Sequence, residues 1–111
     1  DKMRFGMKIS PRDRRLGFWG WALGIFLLRA NRVDEALVEA RTASRRDSKL
    51  YLTRVLEAAA LDRLGHLEDA RTALAIARQL REQLTLSEVT LTHGRHVGER
   101  MALLWDPVAR R

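Results

Sequence analysis

Along most of this chain, apolar residues return at intervals of three and four, the spacing of one helix face, while the alternation of a half-buried strand is nearly absent. No Asn-Gly or Asp-Gly pair marks a β-hairpin, and Pro11 and Pro107 are the only prolines. The pattern predicts an all-α chain. One stretch departs from it: "FWGWALGIFLL", Phe18 to Leu28, is apolar on every face and lies between Arg14-Arg15 and Arg29. Crossing a bilayer takes about 20 consecutive apolar residues, roughly twice this run, so no membrane span is expected. A secretory leader is not expected either, because the run continues into a charged helical pattern instead of a small-residue cleavage site. It is expected to be a buried helix.

The chemistry of starts and stops divides the rest. Asn31 is a candidate cap for "RVDEALVEARTASRR", whose first turn carries Asp34 and Glu35 where the helix dipole favours acids. Asp47 or Ser48 can cap a following helix through "YLTRVLEAAALDRL", and Gly65 supplies the left-handed residue that ends it. "LEDARTALAIARQLREQ" opens with two acids, Thr85 and Glu88 form a Thr-x-x-Glu capping box, and Gly94 closes that short helix. A last stretch, "GERMALLW", is expected to stop near Asp106-Pro107.

Helices of this length joined by short loops suggest helical hairpins, and the chain repeats itself. "NRVDEALVEARTA" from Asn31 lies 34 residues before "GHLEDARTALAIA" from Gly65, which pairs Ala36 with Ala70 and Ala43 with Ala77. A period of 34 residues, with Leu23-Gly24, Leu27, Ala36 and Ala40 in the first unit and Ala58, Leu61, Gly65, Leu67, Ala70, Leu74 and Ala77 in the second, resembles the tetratricopeptide repeat (TPR). Gly20 stands where that pattern has Trp, with Trp19 and Trp21 beside it. Asn31 replaces the turn Gly and Ser48 the closing Pro, and in the second unit Glu57 and Glu82 replace the Leu and the Pro. The resemblance implies antiparallel hairpins in a short right-handed superhelix: 1–11 as the tail of a preceding repeat ("FGMKISPRD", ending at Pro11), 12–48 and 49–84 as repeats, and 85–111 as a C-terminal cap. "SPRDRRLGFWGWALG", "VDEAL", "LEAAALDRLGHLEDARTAL" and "LTLSEV" together resemble the C-terminal TPR region of bacterial class III adenylate or guanylate cyclases and of TPR regulators with a winged-helix domain. This implies a regulatory, protein-binding segment of a larger cytoplasmic signalling protein whose catalytic or DNA-binding residues lie elsewhere.

In such an array one stripe of the first helix, Leu23, Gly24 and Leu27, faces its partner helix. A second stripe, Phe18, Trp21, Ile25 and Leu28, faces the inner groove. Exposing four such side chains forgoes roughly 1.5 to 3 kcal/mol each. Their cover is expected from preceding repeats, from the C-terminal tail with Met101, Leu104 and Trp105, from a partner peptide, or from a second copy of the chain. The second repeat presents Leu52, Val55, Ala59, Asp62 and Arg63 at the matching places, so a bound peptide would be anchored by Phe18, Trp21, Ile25 and Leu28 and selected by Arg29, Asp62 and Arg63.

The remaining composition narrows the chemistry. At 111 residues the chain is one domain or part of one, and the absence of Cys excludes disulfides and thiolate metal sites. The formal charge is +7, and 18 of the 21 basic residues are Arg. They are scattered and mostly accompanied by acids, so solvated helix faces account for them and nucleic-acid binding is not expected of this segment. His93, His96 and Glu99 are three apart, but Gly94 and Gly98 argue against a rigid helix there and no second ligand cluster accompanies them. Neither a nucleophile elbow nor a glycine-rich phosphate loop is present, so no catalytic residue, metal or cofactor is expected.

Overall fold

The computed structural model describes residues 14–105, and these form six helices with no strand among them: α1 (Arg14–Arg29), α2 (Val33–Arg46), α3 (Tyr51–Arg63), α4 (Leu67–Leu80), α5 (Leu86–His93) and α6 (Arg95–Leu104). Each helix packs on its successor within the pairs α1/α2, α3/α4 and α5/α6; α3 also lies against both α1 and α2, and α6 against α3 and α4. The all-α expectation is therefore met among the described residues. Pro11, "FGMKISPRD" and the stop at Asp106-Pro107 lie outside them.

The two hairpin turns are built alike. Asn31 and Gly65 both take the left-handed conformation, with φ of 63° and 84°. At the first, the N–H of Arg32 donates to Leu27 O at 2.8 Å and that of Asn31 to Leu28 O at 3.1 Å. At the second, His66 donates to Leu61 O at 2.9 Å and Gly65 to Asp62 O at 3.1 Å. This pair of bonds is the Schellman closure, which satisfies carbonyls at a helix end and needs positive φ. Asn31 thus ends α1 instead of capping α2, whose N-cap is Arg32 with no side-chain bond. Asn and Gly are the two residues that tolerate this conformation best.

The helix ends after each hairpin repeat as well. Asp47 and Arg81, 34 positions apart, close α2 and α4 with φ, ψ of −140°, 90° and −136°, 92°, and donate to Ala43 O and Ala77 O at 3.0 Å each. Neither Asp47 nor Ser48 caps α3. Its N-cap is Leu50, without a side-chain bond, and the Asp47 carboxylate instead accepts from the Lys49 N–H at 3.2 Å.

Small residues set the spacing. Ala36, Ala40 and Ala43 on α2, and Ala70 and Ala77 on α4, are fully buried. A Cβ added at Gly24 would run into Leu56 Cδ2 of α3, so α1 touches the next hairpin where a side chain would hold it off. Leu56, Leu74, Met101, Val55 and Val89 are fully buried, each worth roughly 1.5 to 3 kcal/mol of transfer free energy.

The C-terminal pair follows expectation in part. Thr85 Oγ1 accepts from the Glu88 N–H at 3.2 Å, half of the capping box, but the Glu88 carboxylate receives the Arg81 guanidinium at 2.8 and 3.2 Å. Gly94, with φ of 98°, ends α5 and starts α6. Gly98 does not break α6: it sits inside the helix because a Cβ there would strike Thr90 of α5, so the glycine allows the two helices to cross closely. No helix among the described residues is long and apolar enough to cross a membrane.

Candidate interaction site

The inner stripe of α1 is largely covered, and its cover is the C-terminal pair. Ile25 and Leu28 are buried, Trp21 is half-buried, and Phe18 keeps 47% of its surface exposed. Opposite them stand His93, Gly94 and Val97 from α5 and α6. Met101 and Leu104 are buried in the same core, and Trp105 packs against it. Among the described residues the C-terminal segment, one of the covers expected from the sequence, is in place.

A directed chain of hydrogen bonds fixes this contact. Trp21 Nε1 donates to His93 Nε2 at 2.9 Å. An indole N–H is a donor only, so Nε2 is the unprotonated nitrogen and the proton sits on Nδ1. Nδ1 lies 2.7 Å from Thr92 Oγ1, whose own proton goes to Glu88 O at 2.9 Å. Burial of the ring, 3% exposed, lowers the His93 pKa from 6.5 to about 4, and Arg29 adds to the lowering. Trp21 and His93 stack edge to face with centroids 5.5 Å apart.

The polar residues expected to select a partner are placed differently. Asp62 is buried and takes both arms of Arg100, with Nε to Oδ2 at 2.9 Å and Nη2 to Oδ1 at 2.8 Å. Its carboxylate is thereby engaged within the chain. Arg63 donates through Nη1 to Leu28 O at 2.9 Å and remains exposed at the mouth of a cleft. That cleft, about 180 Å³, is lined by Ile25, Leu28, Arg29, Arg63, His93, Arg95 and His96 among others, so cations dominate its rim. Phe18, beside Trp21 at a centroid distance of 5.3 Å, extends the same surface.

His93 points inward to Trp21, whereas His96 and Glu99 are exposed, and Glu99 pairs with Arg95 at 3.2 Å. Among the described residues no group of three or more His, Asp or Glu is placed to hold a metal ion. Nothing in the local sequence pointed to His93 as the partner of Trp21, 72 positions away, or to Arg100 as that of Asp62, 38 positions away. The chain matches no protein-family model, no curated protein and no solved structure.

Proposed function

We propose that this chain is a TPR-type protein-interaction and regulatory module belonging to a larger bacterial cytoplasmic regulator, such as a class III adenylate or guanylate cyclase or a winged-helix transcription regulator. The observation that carries the reading is the repetition at 34 residues of the turn at Asn31 and Gly65, together with the matching helix ends at Asp47 and Arg81. A shared period in sequence and in backbone geometry is the mark of stacked hairpins in which each unit buries its neighbour's face. No residue of this segment is assigned a catalytic role. The activity belongs to the parent polypeptide.

The partner surface is the part of the inner face that α5 and α6 leave open: Phe18, the free edge of Trp21, Arg29 and Arg63. Aromatic surface beside several guanidinium groups suits an acidic peptide with an apolar side chain. A photo-crosslinking residue in place of Phe18 or Arg29, in the native host, is expected to capture a protein partner, with Ala75, exposed on α4, as the control position. Capture no greater at Phe18 or Arg29 than at Ala75 would sink the proposal. Capture of a second copy would turn the reading to a homo-oligomeric scaffold.

A further inference from the structure

A groove between α1 and α2 repeats, one period earlier, a groove between α3 and α4. The first encloses about 500 Å³, and its lining includes Leu23, Leu27, Glu35 and Val38. The second encloses about 220 Å³, and its lining includes their counterparts 34 positions on, Glu57, Leu61, Asp69 and Thr72. The difference lies in what the preceding helix contributes. In the second groove α2 lies along α3 and sends in Arg41, whose Nε meets Glu57 Oε2 at 3.3 Å. The helix faces agree: Thr53 and Ala60 on α3 are fully buried, while their counterparts on α1, Trp19 and Phe26, are 48% and 66% exposed. The first hairpin therefore carries a seat of the same design on which no helix of residues 14–105 lies.

We infer that this seat takes the chain's own segment from Met3 to Ser10, in the register in which α2 lies along α3. The proposal rests on the repeat-array reading and extends it by naming the occupant. The sequence ahead of α1 carries that register: Ser10-Pro11-Arg12-Asp13 stands 34 positions before Ser44-Arg45-Arg46-Asp47, the end of α2. Met7 stands at the sequence position of Arg41 and Leu23 at that of Glu57, so the two positions that pair as ions in the second groove are both apolar one period earlier. Among the described residues a second copy of the chain has no free matching helix to offer. The corresponding face of α2 lies on α3, and α4 is covered by the C-terminal segment, where Arg78 donates to Trp105 O at 2.6 Å and stacks 4.5 Å over its ring.

The absence of cysteine makes thiol labelling a clean test. Phe26→Cys reports the seat, Leu91→Cys, at a position 85% exposed, is the open control, and Ser44→Cys is a near-isosteric buried control on α2. Phe26→Cys is expected to react at least about tenfold more slowly than Leu91→Cys, independently of protein concentration, as a site protected by a docked segment does. Adding Met7→Asp is expected to remove that protection. Equal rates at Phe26→Cys and Leu91→Cys, with Ser44→Cys still protected, would overturn the proposal and leave the array intact. Protection that fades on dilution would also overturn it, giving the seat to a second copy. Fast reaction at Ser44→Cys would show that the hairpin array has itself failed, and the proposal with it.

Discussion

Acidification attacks the contact between Trp21 and His93 at a specific atom. The neutral ring accepts the indole proton at Nε2, so a second proton can enter only there, and it would face the Trp21 N–H instead of a lone pair. Folded His93 has its pKa lowered to about 4, while the unfolded chain regains the ordinary 6.5. The unfolded state therefore takes the proton first, and stability falls with falling pH in the window between these values. Above about pH 6.5 the contribution is complete, and below about pH 4 it is gone. The separation corresponds to about 3 kcal/mol at roughly 1.4 kcal/mol per unit, a large share of a domain's 5 to 15 kcal/mol. Urea unfolding followed by tryptophan fluorescence and far-UV dichroism, at about pH 7.5 and about pH 4.5, measures it. His93→Gln keeps an acceptor for Trp21 but does not titrate, and the carboxylates common to both proteins cancel in the comparison. The parent chain is expected to lose most of about 3 kcal/mol more than the variant. Equal losses would refute the assignment of His93 as the buried neutral acceptor.

Three further outcomes follow from the packing. Gly24→Ala puts a methyl against Leu56, so despite the better helix propensity of Ala it is expected to destabilise by about 1 to 3 kcal/mol in urea unfolding, with displacement of α1 from α3 visible in its amide shifts. Arg100→Met strands the buried Asp62 carboxylate, whereas Arg95→Met breaks only an exposed pair with Glu99. The first is expected to lower the melting temperature clearly more than the second. Asn31→Gly relaxes a left-handed residue without touching the core, so thermal unfolding is expected to show a change from about zero to 1 kcal/mol of added stability.

What was legible in the sequence was local or periodic. Gly65 and the buried alanines at 36, 43, 70 and 77 declare their roles through residue type and spacing, because turn sterics and close helix approach admit few alternatives. Asn31 was ambiguous since Asn serves both to cap a helix start and to close a helix end, and only the path of the chain decides. Gly98 suggests a break because its helix propensity is poor, and the contact with Thr90 that favours it is tertiary. The inner face and the C-terminal segment as one of its covers are legible, but the contacts that fix that cover are not: Trp21 with His93 and Asp62 with Arg100 are distant pairs set by the fold-back of α5 and α6, and no local pattern encodes a distant partner. Asp62 consequently looked available for a ligand when it is bound within the chain.

α5 and α6 cover the inner face of the first hairpin, and the proposed partner surface is the edge they leave open. The indole N–H resonance of Trp21 tests this directly. In the neutral chain it is expected to exchange slowly with solvent, to lie downfield of the Trp19 and Trp105 indoles, and to shift back on acidification with a midpoint near 4 in step with the His93 ring protons. A fast-exchanging Trp21 indole, with His93 titrating near its ordinary 6.5, would mean that the C-terminal pair does not close the groove and that the whole stripe from Phe18 to Leu28 is open to a partner.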